Sequence, residues 1–155
     1  MNPSPFLLKK MGLKFARSIL PSPDLISEER LWRSVVVNAI EDCLIEHNDR
    51  KSSLLKIYSH NWILLRSKDF NVVCGWGRLD PDDIEECYIA AVKNKAITFS
   101  KRQILWFDYD KLYQKMLKAD VVEKKEMRRQ INSMRDVVKQ APIDLLSTVF
   151  VSAFV

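Results

Sequence analysis

The sequence predicts an all-α protein: a single compact domain of five or six helices, with a central helix-turn-helix-like segment and a C-terminal antiparallel helical hairpin. Three observations predict it. Apolar residues recur at helical spacing over 32–44, 54–65, 84–92, 105–117 and 127–138. Two strong helix-start signals, Asp80-Pro81 and Ser100-Lys101-Arg102-Gln103, stand between those stretches. The polar connector His47 to Ser53 and the turn at Asp120 are short enough to fold neighbouring helices back antiparallel. At 155 residues the chain can bury a real core as one domain. At most a short strand is expected near Ile97 or in the tail.

Residues 1–20 form a basic amphipathic segment. Lys9, Lys10, Lys14 and Arg17 precede any acidic residue, and Leu7, Leu8, Met11, Phe15, Ile19 and Leu20 give one apolar stripe if helical. A membrane-surface helix, a targeting segment and a basic arm on nucleic acid all fit. Packing on the domain with the lysines in water is the preferred reading. Charges interrupt any signal-peptide core, and no run approaches the ~18 apolar residues of a spanning helix.

Residues 21–140 make up the helical domain. Pro21-Ser22-Pro23-Asp24 breaks the chain, and Ser27-Glu28-Glu29 opens the first long helix. Trp32, Val35, Val36, Ala39, Ile40, Cys43 and Leu44 are its core face, with Arg33, Glu41, Asp42 and Glu46 opposite. In the next helix Leu54, Leu55, Tyr58, Asn61, Trp62 and Leu65 line up, with His60 a satisfied boundary group. The helix-turn-helix-like segment is 61–92. Ser67 or Asp69 caps a short helix to about Trp76, and Gly75 and Gly77 supply the turn. Asp80 caps the following helix, Pro81 takes its first position, and Ile84, Cys87, Tyr88, Ala91 and Val92 form its buried face. Asp80, Asp82, Asp83, Glu85 and Glu86 crowd that helix start, so phosphates would be repelled where a DNA-reading helix meets the groove. The segment is expected to be a scaffold.

Little chemistry is encoded. Cys43, Cys74 and Cys87 are odd in number and scattered, which points to buried free thiols in a reducing, cytoplasmic setting. Cys43 and His47, with Cys74, Cys87 and His60, match no familiar zinc spacing. No phosphate-cradling glycine loop or H-E-x-x-H occurs, and the pairs Asp108/Asp110 and Asp82/Glu86 read as solvated charges. No catalytic residue, metal or cofactor is assigned.

The charge map is the informative feature. The hairpin, 100–140, has a capping box at Ser100 and Gln103 with a Phe99–Ile104 staple. Leu105, Tyr109, Leu112, Tyr113, Met116 and Leu117 are apolar in its first helix, with Trp106 beside them; Met127, Ile131, Met134, Val137 and Val138 line its second. From Lys93 to Lys139 there are thirteen basic and six acidic residues, in a chain of net charge +5. Lys93, Lys95, Lys101, Arg102, Lys124, Lys125, Arg128, Arg129, Arg135 and Lys139 are the candidate nucleic-acid contacts. Residues 141–155 form an apolar tail that packs on the domain or meets a partner.

The stretch 30–92 resembles small helical proteins of phages, prophages and intracellular alphaproteobacteria, many without an assigned role. The resemblance rests on Trp32, Trp62, Ser67, Asp69, Phe70, Val73, Cys74, Leu79, Asp80 and Pro81; Trp76-Gly77-Arg78 departs from the family's smaller step. It implies a bacterial, DNA-associated or regulatory factor and transfers no catalytic residue. The expected function is non-enzymatic nucleic-acid binding through the basic hairpin. The alternative is a protein-interaction adaptor, or a homo-oligomer, that uses the acidic surface 80–86 and the basic surface 124–139. A continuous basic surface favours the first; one broken by Glu123, Glu126 and Asp136 favours the second.

Overall fold

A computed structural model describes residues 12, 14–19, 24–143 and 152–155. Every regular element among them is helical: α1 Ser27–Asp42, α2 Arg50–Leu64, α3 Lys68–Trp76, α4 Pro81–Lys93, α5 Lys101–Lys118 and α6 Val121–Gln140. Residues 14–18 are helical too, which makes seven helical elements instead of five or six. Ala16 and Ile19 are buried and Phe15 packs on the main core, while Arg17 turns outward to Glu41 at 3.7 Å. Leu7, Leu8, Lys9, Lys10, Met11, Leu20 and the tail residues 144–151 lie outside the described residues.

Side chains cap most helix starts. Asp49, Ser67, Asp80, Ser100 and Asp120 each accept a hydrogen bond from a first-turn N–H of α2 to α6. Ser27 is not the cap of α1. Ile26 holds that position, and the Glu29 carboxylate accepts from its N–H at 3.2 Å. The exits of α2, α3 and α4 carry non-glycine residues in the left-handed region: Arg66, Arg78 and Lys95, at φ 48°, 54° and 62°. The strain is offset by 6→1 bonds from Leu79 N–H to Cys74 O and from Ala96 N–H to Ala91 O, at 2.8 and 2.9 Å. Cations there also favour the negative end of the helix dipole.

The turn between α3 and α4 corrects the expectation for the glycines. Neither Gly75 nor Gly77 has positive φ. Gly77 is required for close approach, because a Cβ there would lie 3.1 Å from both the backbone nitrogen and Cγ of Arg33. The helical spacing places Arg33 on the face opposite the apolar stripe. Instead its guanidinium donates to Gly77 O, Arg78 O and Ile19 O at 2.6, 3.0 and 3.0 Å. It thereby satisfies carbonyls that the end of α3 leaves open. Trp32 and Trp76 meet beside it, with centroids 4.6 Å apart.

Helix α1 packs on α2 and α3, α2 on α5, α3 on α4, and α5 on α6. The main core contains Val36, Val37, Ile40, Ile57, Ile63, Phe70, Ile84, Tyr88, Val92, Ile97 and Phe99. Val37 replaces the expected Val35, which lies at the surface. The inward face of α2 is rotated from the expected stripe. Ser53, Lys56, Ile57, His60 and Ile63 are buried, whereas Leu55, Tyr58 and Leu65 are exposed. Apolar residues surround α2, so periodicity alone does not fix its phase; polar partners from α4 and α5 do. Cys87 is exposed, contrary to its expected burial, while burial pushes the Cys43 and Cys74 thiols up to about 12 and about 11.

Lys56 donates to Thr98 O and to Gln103 Oε1, with its ammonium 4.7 Å above the centre of the Phe99 ring. Burial pulls this amine down to about 7. Gln103 Nε2 donates in turn to Ile45 O and His47 O at 3.2 and 2.9 Å. The start of α5 is thus tied to α2 and to the loop before it. Nearby, His60 donates from Nε2 to Ser152 O at 2.9 Å, and its Nδ1 accepts from the Tyr88 hydroxyl at 2.6 Å. Burial holds this imidazole neutral, down to about 4. Asn61 brackets Phe154, accepting from its N–H and donating to its carbonyl at 2.7 and 2.9 Å. Residues 152–155 therefore pack on the helices.

Gly77→Ala should lower stability by about 1 kcal/mol or more, measured by urea unfolding, because the backbone of α1 cannot retreat freely. The pH profile of Tm should peak near pH 9. Between about pH 7 and 9 the unfolded chain holds the Lys56 proton more tightly than the folded chain does, so stability rises with pH. Above about 9 the raised thiols reverse that trend, and between about 6.5 and 4 protonation of His60 in the unfolded chain removes stability as pH falls. Lys56→Met should abolish the rise from pH 7 to 9.

Candidate nucleic-acid interface

The pairing of α5 with α6 determines where the cations point. Only Ala119 and Asp120 separate the two helices, so they run antiparallel. Arg102 near the start of α5 donates to Lys139 O at 2.8 Å and to Ala141 O at 3.0 and 3.2 Å, while Pro142 O accepts from its N–H at 3.2 Å. One helical segment away, Arg135 donates to the Tyr109 hydroxyl at 2.9 Å. These contacts set the register, and Tyr109, Ile131 and Val138 form a second buried cluster with Leu105, Leu112, Met116 and Met134 around it.

Residues 124, 127, 131, 134, 138 and 141 advance by alternating steps of three and four, and Met127, Ile131, Met134 and Val138 on that seam are buried or half-buried. Val137, expected on the stripe, is 51% exposed. The same step pattern applies to Lys125, Arg128, Asn132, Arg135 and Lys139, all exposed. Those five share one flank of α6 over about 21 Å, at 1.5 Å per residue. Lys124, half-buried, borders the flank at the hairpin tip. Glu123 and Glu126 fall on the opposite flank with Gln130 and Ser133. Asp136 sits at the outer margin, beyond the stripe. The four cations therefore share one side of the helix, with Asn132 between Arg128 and Arg135 and Asp136 bordering Arg135.

The other candidates separate from this surface. Arg129 projects outward and lies 3.7 Å from Glu126. Arg102 is committed to the carbonyls at the end of α6. Lys93 borders a shallow cleft with Asp82, Glu85 and Glu86 on α4. Lys95 occupies the exit of α4, and Lys101 the first position of α5. The acidic start of α4 is partly neutralised: Arg66 donates to Asp82 and Glu85 at 2.6 and 2.8 Å.

Residues absent from the candidate set complete the stripe's surroundings. Arg50, at the start of α2, lies 4.9 and 4.8 Å from the ring centres of Tyr109 and Tyr113, which are stacked 6.4 Å apart. Buried Asp110 holds Arg50 at 3.3 Å and accepts from the Tyr58 hydroxyl at 2.6 Å, which pushes that phenol up to about 12. Tyr113 was legible only as a core residue, and Arg50 only as part of a connector. Among the described residues, no three His, Cys, Asp or Glu side chains converge as metal ligands, and no helix is long and apolar enough to cross a membrane.

Arg102→Gln should fray the end of α6 and cost about 1–2 kcal/mol, because charged hydrogen bonds to its last carbonyls are lost. Hydrogen exchange at residues 137–141 should accelerate selectively. No family model, curated protein or solved structure matches the chain.

Proposed function

We propose that this chain is a non-enzymatic nucleic-acid-binding or regulatory protein that contacts the phosphate backbone along one flank of α6. The carrying observation is the segregation of Lys125, Arg128, Arg135 and Lys139 from Glu123 and Glu126. A row of cations along one flank can displace condensed counterions along a strand, which makes binding strong, salt-dependent and largely indifferent to sequence. Within this reading, the helices act as one domain, and the helix-turn-helix-like pair α3–α4 is a scaffold. Its acidic start repels phosphates, and its nearest guanidinium, Arg66, is engaged in cis. The likeness of residues 30–92 to phage-type helical proteins agrees with a DNA-associated role. The adaptor reading is weaker, because Asp82 and Glu85 are already paired with Arg66 and offer a partner less free charge.

The test is fluorescence anisotropy with labelled DNA and RNA from low salt to about 200 mM. A Lys125→Gln/Arg128→Gln/Lys139→Gln variant should lose at least about tenfold in affinity, and its salt slope should fall by roughly 2–3, as expected for three phosphate contacts. A Lys93→Gln/Lys115→Gln/Lys118→Gln control, with the same change in net charge, should bind nearly as well as the parent. Equal losses in both variants would reduce the effect to overall charge and remove the assigned surface.

A further inference from the structure

Beside the cationic row of α6 runs an aromatic row on α5. Trp106, Tyr109 and Tyr113 are spaced three and four residues apart and so share one edge of the helix. The Arg135–Tyr109 bond places that edge against the cationic flank of α6, and the antiparallel register sets Tyr113 between Arg135 and Arg128. Tyr109 is buried, but Trp106 and Tyr113 are only partly covered. Trp106 meets Tyr109 edge-on at 5.2 Å and is fixed by its indole N–H donating to Asn48 O at 2.9 Å. Arg50 lies over Tyr113 and Tyr109 with its side chain 38% exposed and anchored by Asp110. A row of cations thus parallels a row of immobilised ring and guanidinium planes.

Duplex nucleic acid offers phosphates but hides its base faces. A single strand offers both, and unstacked bases gain by stacking on aromatic rings and guanidinium planes. We infer that the ligand of this surface is single-stranded nucleic acid, its phosphates along Lys125, Arg128, Arg135 and Lys139 and its bases against Tyr113, Arg50 and the edge of Trp106. This inference rests on the phosphate-tracking reading of α6 and adds the ligand class. The fixed tyrosine and guanidinium are pre-ordered, so little side-chain entropy is lost on stacking.

The test compares labelled dT20, U20 and a 20-base-pair duplex at about 50 mM salt, with the full chain and its Tyr113→Leu, Tyr113→Phe and Arg128→Gln variants. Single strands should bind at least about tenfold tighter than the duplex. Tyr113→Leu should cut single-strand affinity by about tenfold, as loss of one stacked base does, and leave duplex binding unchanged; Tyr113→Phe should bind like the parent. The two single-stranded probes separate DNA from RNA preference. A duplex that binds the parent protein as tightly as either single strand overturns the inference whether or not the variants fold. Equal weakening of all probes by Tyr113→Leu overturns it as well. If Arg128→Gln weakens binding while Tyr113→Leu leaves it intact, stacking fails and phosphate tracking stands. If Arg128→Gln changes nothing, phosphate tracking itself fails.

Discussion

Everything at the candidate surface depends on the register of α5 against α6. Arg102 holds the last carbonyls of α6, and Arg135 holds the hydroxyl of Tyr109. With the open end and the middle of the pairing fixed, the seam through Met127, Ile131, Met134 and Val138 is turned inward. The flank through Lys125, Arg128, Asn132, Arg135 and Lys139 then has no choice but to face outward on the side of Tyr109 and Tyr113. A slip of one residue would rotate α6 by about 100° and carry Glu126 and Asp136 toward that side. Two arginines that count as cations in the composition are therefore also geometric devices. Arg102 is wholly one, and Arg135 serves in both ways.

The main core supports this arrangement through buried polar bonds as well as apolar packing. Gln103 completes the capping box of α5, accepts from Lys56 and donates to Ile45 O and His47 O. That one amide ties α5 to α2 and places the start of α2, where Arg50 emerges, beside the aromatic row. Burying Lys56 against a carbonyl and an amide oxygen is costly, and the depressed amine records the cost. In exchange, α2 acquires a defined rotational setting that its evenly distributed apolar residues do not impose.

The sequence made the helices legible where local signals were strong. Asp80-Pro81, the Ser100–Gln103 box and the seam of α6 each combine a start signal or a period with one neighbouring helix to satisfy. It failed where a residue's role is decided by a distant carbonyl. Arg33 reaches Gly77 and Arg78, more than forty positions away, and no periodicity in α1 reveals that. For the same reason Gly77 read as a source of turn flexibility although its part is to admit the backbone of α1, and Arg78 carries the left-handed conformation. The phase of α2 is not legible because buried Ser53 and Lys56 look like surface residues in sequence, and only His60 reads as a boundary group. At the candidate surface, the surplus of charge was visible in composition. Its division into a stripe, an outward pair at Arg129 and Glu126, and a structural Arg102 required the packing of α6. Arg50 was invisible because it arrives from another helix.

The most direct measurement is amide chemical-shift mapping of the labelled protein during titration with a single-stranded oligonucleotide at low salt. Contact along the cationic flank predicts that the largest shifts fall at Lys125, Arg128, Asn132, Arg135 and Lys139, and at Tyr113 across the groove. Residues on the opposite flank, Glu123, Glu126, Gln130 and Ser133, should move little. Shifts concentrated on α4 around Lys93, or spread evenly around α6, would contradict the assignment of this surface.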